Sequence, residues 1–128
     1  YLLKAFVLRL NEQYDEAFKV CDKGIEMCDE VSELYRQKAI CYILQGEYDE
    51  ALDLMTSLVD GSITSSLYIE TVYTYAVAAD LSGDETAQSD VQDMIDNYSI
   101  EYSDRMKSYF AGELSVKQLF TEGNCDVT

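Results

Sequence analysis

Adjacent carboxylates are the residues of this chain best suited to chemistry. In the pairs Asp15-Glu16 and Asp49-Glu50, one carboxyl group can donate a proton while its neighbour accepts one. The two pairs recur 34 positions apart, whereas a catalytic pair is needed once per site. Carboxylates in the first turn of a helix recur with a structural repeat and are stabilised there by the helix dipole. We therefore interpret both pairs as helix-start residues, and predict no catalytic residues and no enzyme.

Metal binding has weak support in the sequence. The chain has no histidine, which excludes Ser-His and Cys-His nucleophiles and every histidine-ligated metal. Asp90, Asp93 and Asp96 follow one side of a predicted helix, and their oxygens suit calcium. No D-x-D-x-D-G loop accompanies them, so a solvated helix face is the better interpretation. We expect no metal and no cofactor.

The cysteines are dispersed without the C-x-x-C spacing of a zinc site, at Cys21, Cys28, Cys41 and Cys125. Cysteine inside an apolar helical pattern behaves as a small hydrophobic residue, and a dispersed set is typical of a reducing compartment. This pattern predicts a cytoplasmic location. The chain opens inside a predicted helix without an initiator methionine, so we interpret it as a fragment of a longer protein. A membrane anchor in another part of that protein is compatible with this interpretation.

The charge balance restricts the kinds of partner. With 25 acidic and 9 basic residues the net charge is -16, which repels nucleic acid. No apolar run approaches the roughly 20 residues of a membrane span, so we expect no membrane insertion within this segment. The acidic field favours a basic or largely apolar protein partner through long-range attraction. High solubility is the alternative explanation of the same charge.

A repeat organises the chain. The four residues of 14–17, Tyr-Asp-Glu-Ala, return at 48–51, and laying 1–34 over 35–68 without a gap gives nine identical positions. Small residues meet small ones, as in Ala5 with Ala39, and large apolar residues meet large ones. Such a period predicts helical hairpins that bury their apolar faces only when stacked.

The second copy resembles the tetratricopeptide repeat family, because its aromatic, small and turn residues stand in the family's order: Tyr35, Ala39, Tyr42, Gly46, Tyr48 and Ala51. The first copy keeps this pattern, except that Leu8 replaces the second aromatic residue and Glu12 replaces the turn glycine. A third copy starts near Val72 and Ala76 and is shifted after Gly83. The resemblance covers about residues 1 to 97.

This resemblance implies an all-α fold, a right-handed α-α superhelix of antiparallel helix pairs. We expect about three repeats at 1–32, 33–62 and 66–97, capping helices over 100–122 that close the last pair, and a frayed tail at 123–128. Single helices are predicted at 1–12, 15–28, 32–45, 49–59 and 67–81. A sixth follows the turn at 82–84 and ends near 97, and two more are predicted at 103–111 and 115–120. Ser32 and Ser66 are predicted helix caps, and Gly61 is predicted to follow a helix end.

The resemblance also implies a concave groove lined by the first helix of each pair. The implied partner-binding residues are Leu2, Leu3, Phe6, Arg9 and Leu10, then Glu33, Arg36, Gln37, Ile40, Ile43 and Leu44, and finally Glu70, Tyr73, Thr74, Val77 and Asp80. An apolar floor with acidic edges suits a partner's peptide or amphipathic helix, apolar with basic flanks.

Two alternatives to this groove remain open. Phe6, Ile40 and Ile43 can simply pack against one another as core. The helix at 1–12 is apolar nearly all round and therefore expects cover on both sides, from a preceding helix, a partner or a second copy in a homodimer. The second function left open is accordingly a structural or homo-oligomerisation domain without a peptide ligand.

Overall fold

The computed structural model describes residues 1–27, 31–63 and 67–122, in which helices are joined by turns and short loops. The elements are α1 (Leu2–Leu10), α2 (Tyr14–Met27), α3 (Ser32–Leu44), α4 (Tyr48–Val59), α5 (Ile69–Ser82), α6 (Glu85–Asn97), α7 (Asp104–Phe110) and α8 (Val116–Glu122). No strand occurs in the described ranges. The prediction of an all-α fold is confirmed.

Side chains cap some helix starts, but not at the predicted residue Ser32. Ser103 precedes α7, and its hydroxyl accepts a hydrogen bond from the Met106 amide at 3.2 Å. The predicted cap at Ser32 is wrong, because α3 already begins at that residue and Val31 holds the cap position without a side-chain bond. The predicted cap at Ser66 and the frayed tail at 123–128 lie outside the described residues.

A reciprocal capping box starts α8, where the sequence predicts a helix over 115–120. The Ser115 hydroxyl accepts from the Gln118 amide at 3.1 Å, and the Gln118 side-chain oxygen accepts from the Ser115 amide at 2.9 Å. These two bonds satisfy backbone donors that the first turn of a helix leaves without partners. Because α8 has only 7 residues, these capping bonds supply part of the stability that so short a helix needs.

Small residues allow the helices to approach closely. Ala5, Ala17, Ala39 and Ala51, which the repeat aligns, are all fully buried. Gly24 of α2 faces the same constraint, since an added Cβ would lie 2.8 Å from a Leu34 side-chain carbon. Helix pairs that meet at such positions pack backbone against backbone, so a larger side chain there would separate them.

The core is divided unequally. A large cluster joins α3, α4, α5 and α6 and includes Met106, Leu119 and Phe120 from the two last helices. A small cluster under α1 contains Ala5, Cys21 and Leu34. Consecutive helices from α1 to α6 pack on one another, α3 also packs on α1 and α5, and α8 packs on α3 and α7. None of the described helices is both long and apolar enough to cross a membrane.

Candidate functional site

The predicted partner-binding residues fall into three groups by exposure. Leu2, Leu3, Leu10, Glu70 and Asp80 are exposed, and Phe6, Glu33, Leu44 and Tyr73 are half-buried. The remaining members are buried: Arg9, Arg36, Gln37, Ile40, Ile43, Thr74 and Val77. The three apolar residues of this buried set belong to the large core cluster, which joins α3, α4, α5 and α6. A partner cannot contact them in this conformation, so we leave Ile40, Ile43 and Val77 out of the proposed contact surface.

Arg36 connects α3 to α5. Its Nε donates to the Thr74 hydroxyl at 3.0 Å and to the Glu70 carbonyl at 3.3 Å, while its Nη1 donates to Glu33 at 3.1 Å. The guanidinium therefore holds neighbouring helix pairs together. Glu70 keeps an exposed carboxylate beside this network, and the Glu33 carboxylate is partly exposed, which places an acidic edge at the starts of α3 and α5.

Arg9 is a buried cation at the C-terminal end of α1, with only 1% of its surface exposed. Its Nε donates to the Gln37 side-chain oxygen at 2.8 Å and its Nη1 to the Phe120 carbonyl at 3.2 Å. The guanidinium carbon lies 5.3 Å from the centre of the Phe6 ring. Among the described residues Nη2 has no hydrogen-bond partner, and burial lowers the pKa of Arg9 to about 10. A buried cation with an unused donor is costly unless a further acceptor arrives.

The segment from 101 to 110 lies against α5. The Tyr73 hydroxyl donates to the Glu101 carbonyl, and its ring lies 5.9 Å from that of Tyr102. The Tyr109 hydroxyl donates to the Asp80 carboxylate at 3.1 Å, and burial raises the pKa of Tyr109 above its usual range, with Asp80 adding to the shift. Two of the predicted partner-binding residues, Tyr73 and Asp80, thus already have partners within the chain.

α8 continues this segment across α3 to α1. Leu119 and Phe120 are buried in the large cluster, and the Lys117 amine lies 2.8 Å from the Glu12 carboxylate. Hydrogen bonding to Lys117 lowers the pKa of Glu12. The carbonyls near the end of α8 accept from two arginines, since Arg9 bonds that of Phe120 and Arg105 bonds that of Gln118 at 2.6 Å. Cations at the C-terminal end of a helix also complement its dipole.

Glu12 adopts a backbone conformation that its residue type disfavours. Its φ is +61°, and the equivalent residue of the next repeat, Gly46, has φ +80°. A side chain in the left-handed region costs about 1 to 2 kcal/mol, whereas glycine adopts it freely. The turn between α1 and α2 therefore carries strain, and the residue that carries it supplies the carboxylate bound by Lys117.

An apolar stripe on α1 faces away from the rest of the array. Leu3 is 70% exposed, Val7 is 45% exposed, and Leu10 continues the same face of the helix one turn later. Leu2 and the half-buried Phe6 extend the stripe towards Arg9. In the next repeat the equivalents of Leu3 and Val7, Gln37 and Cys41, are buried. The sequence prediction that α1 expects a second cover thus concerns a surface that is open here.

The polar clusters that remain form no metal site. Over 1–27, 31–63 and 67–122 no group of three or more His, Cys, Asp or Glu residues can hold a metal ion. Cys21 and Cys41 are free and fully buried, and burial raises their pKa to about 11 and about 12. The other two cysteines, Cys28 and Cys125, lie outside the described residues. A buried thiol kept protonated is a poor nucleophile and a poor metal ligand.

Sequence reasoning missed the path of the C-terminal segment. The expected capping helices close the last pair; residues 101–110 lie against α5 of that pair, and α8 continues across α3 to α1, which the sequence did not predict. Two sequence features could have indicated this path. One is the adjacent apolar pair Leu119 and Phe120 after a capping box, because such a pair needs cover; the other is Glu12, which stands where the repeat has a glycine.

Comparison of the chain with protein-family models, with curated proteins and with solved structures finds no match.

Proposed function

We propose that this chain is a non-catalytic protein-interaction module, a tetratricopeptide-like array of helix pairs that binds a partner's peptide or amphipathic helix. One observation carries the proposal: α1 and α5 already hold the segment from residue 101 to α8 through Arg9, Tyr73 and Asp80, which the family resemblance implies for partner binding. A face that binds one amphipathic segment in cis has the apolar and polar groups needed to bind another in trans.

The exposed part of this face defines the expected partner. Leu2 and the half-buried Phe6 offer apolar area on α1, and Glu33 and Glu70 offer carboxylates at the starts of α3 and α5. A partner segment with large apolar residues at helical spacing and Lys or Arg at its flanks complements both. The net charge of -16 accelerates encounter with such a segment and disfavours an acidic one.

Selection from a library tests the proposal without a known partner. We expect a phage-displayed library of random 16-residue peptides, panned on the whole chain, to enrich apolar residues at i, i+3 or i+4 and i+7 with basic flanks. A synthetic peptide of the leading sequence should bind more weakly as salt concentration rises, because part of the attraction is electrostatic.

Matched variants locate the binding surface. Leu2→Ser and Glu70→Lys should each weaken the selected peptide, measured by fluorescence anisotropy. Tyr98→Ser and Asp93→Lys make the same kinds of change on exposed residues of the α6 region and should leave the affinity unchanged. Failure to enrich any peptide, or a larger loss with the α6 variants, would contradict the proposal.

A structural or homo-oligomerisation domain is the second candidate. The open stripe of Leu3, Val7 and Leu10 favours it, because a two-fold dimer buries the same apolar patch on both copies. Light scattering of the whole chain, with and without Val7→Glu, distinguishes the candidates. A dimer that the substitution converts to a monomer supports the structural reading, and a monomer in both cases excludes it.

A further inference from the structure

The groups that contact α8 could also bind a similar helix from another protein. Leu119 and Phe120 insert into the core, Lys117 pairs with Glu12, and the Phe120 carbonyl accepts from Arg9. These contacts span α1, α3 and the turn after α1, elements about a hundred residues earlier in the chain. Together they specify a helix with a basic residue followed, two and three positions later, by Leu and Phe.

We propose that the surface of α1 and α3 beneath α8 is a binding site for a short amphipathic helix of a partner with this pattern, and that α8 covers the site until such a helix displaces it. The inference rests on the proposed function, because it assumes that the α1–α3–α5 face binds a partner. It adds which part of the face is used, what the partner presents there, and what competes for it.

Two features of the site fit an exchangeable occupant. α8 has 7 residues, of which Leu119 and Phe120 supply its fully packed side chains, while the Lys117–Glu12 pair is exposed on both sides. Exposed ion pairs add little stability, so among the described side chains of α8 the two buried apolar residues hold it most firmly, together with the bonds from Arg9 and Arg105 to its carbonyls. Residues 111–115 then connect α8 to α7 without a helix, which allows α8 to detach while α7 stays on α5.

Arg9 gives a partner the means to bind more tightly than α8. Its Nη2 is buried and has no hydrogen-bond partner in the described parts of the chain. A partner helix that brings one additional carbonyl or amide oxygen to this position satisfies the donor, which α8 leaves unused. The strained Glu12 fits the same reading, because the strain places its carboxylate where it contacts the basic residue of the bound helix.

A peptide copied from α8 tests the inference on the whole chain. The probe is a fluorescein-labelled synthetic peptide with the sequence of residues 113–122, titrated against the wild type and Phe120→Ala and followed by anisotropy. In the wild type the tethered α8 competes at a high effective concentration, so peptide binding is weak. We expect Phe120→Ala, whose own α8 is weakened, to bind the peptide at least roughly tenfold more tightly.

A second variant guards against loss of folding in the first. Lys117→Glu leaves the buried residues in place but turns the contact with Glu12 into a repulsion, and should strengthen peptide binding about two- to fivefold. Adding Glu12→Gly to Phe120→Ala should weaken peptide binding by a similar factor, since the peptide's own lysine loses its partner. Glu47→Gln, at an exposed glutamate of the α3–α4 turn, serves as the matched control and should change nothing.

The outcomes separate this inference from the proposed function. Equal affinity of the wild type and both α8 variants for the peptide overturns the inference, as does equal binding of a control peptide with Lys117→Glu and Phe120→Ser. If library-selected peptides bind the wild type and Phe120→Ala equally well, the chain binds partners elsewhere on its surface. Stronger binding by both α8 variants, lost with Glu12→Gly, supports the site beneath α8.

Discussion

α1 and α3 start from one repeated pattern and reach different environments. Ala5 and Ala39 are both fully buried, but Leu3 is 70% exposed where its equivalent Gln37 is 4% exposed. Val7 is 45% exposed, whereas its equivalent Cys41 is fully buried beneath the first helix pair. The difference lies in the neighbours, since α3 packs between α1 and α5 while α1 has a helix pair on one side only. Each repeat unit thus has two faces that can pack on a neighbouring unit, and its position along the chain determines whether both are covered.

The largest expected difference is in the cost of truncating equivalent apolar residues. Ile40→Ala empties a fully buried position and should lower the free energy of unfolding by about 3 to 4 kcal/mol. Phe6→Ala, at the equivalent half-buried position of α1, should cost about 1 to 2 kcal/mol, because part of its area is already hydrated. Urea denaturation measures both. Equal costs would mean that α1 is as well covered as α3.

The buried thiols extend the comparison to alkaline pH. Burial raises the pKa of Cys21 to about 11 and that of Cys41 to about 12 from the ordinary thiol value of 9.0. Because the folded state holds these protons more tightly, the associated stability is complete below pH 9 and is lost as pH rises towards the folded values. Between pH 9 and its folded pKa, each thiol should therefore lower the free energy of unfolding by up to about 1.4 kcal/mol per pH unit.

Unfolding at pH 8 and pH 10 checks this prediction. The tyrosines with raised pKa values contribute a loss of the same sign, so single substitutions isolate the thiols. Cys41→Ala should reduce the difference in unfolding free energy between the two pH values by roughly one thiol's share. An unchanged difference would show that solvent reaches Cys41, and that the first pair covers α3 less well than its burial indicates.

The comparison also shows which features the sequence could predict. Matched small residues such as Ala17 and Ala51, and turn residues such as Gly46, identified the helix pairs because their requirements are local and repeat. The sequence does not predict that Ile40, Ile43 and Val77 are buried, since the same apolar positions suit a groove floor or a core. The contact of α8 with α1 joins residues far apart in the chain, and no period encodes it. The sequence therefore predicts a partner-binding face but not the helix that covers part of it.

Substitutions in the turns after α1 and α3 should have smaller effects on stability, and these effects should be opposite in sign. Gly46→Glu introduces a side chain at φ +80° and should cost about 1 kcal/mol. Glu12→Gly removes one at φ +61°, and should raise the free energy of unfolding by up to about 1 kcal/mol, less the small value of the exposed pair with Lys117. Thermal unfolding of both variants measures the effect. A loss of stability in Glu12→Gly would mean that the contact with α8 outweighs the strain of the turn.

The smallest expected effect on folding falls on the open stripe of α1. Leu3→Ser and Val7→Ser remove apolar area that water already reaches, so each should change the free energy of unfolding by less than about 0.5 kcal/mol. Cys41→Ser, at the covered equivalent of Val7, places a hydroxyl in the core and should cost about 1 to 3 kcal/mol. If the stripe variants unfold as easily as Cys41→Ser, a second copy covers α1 in solution. Dilution distinguishes that case, because only stability supplied by a second chain falls with protein concentration.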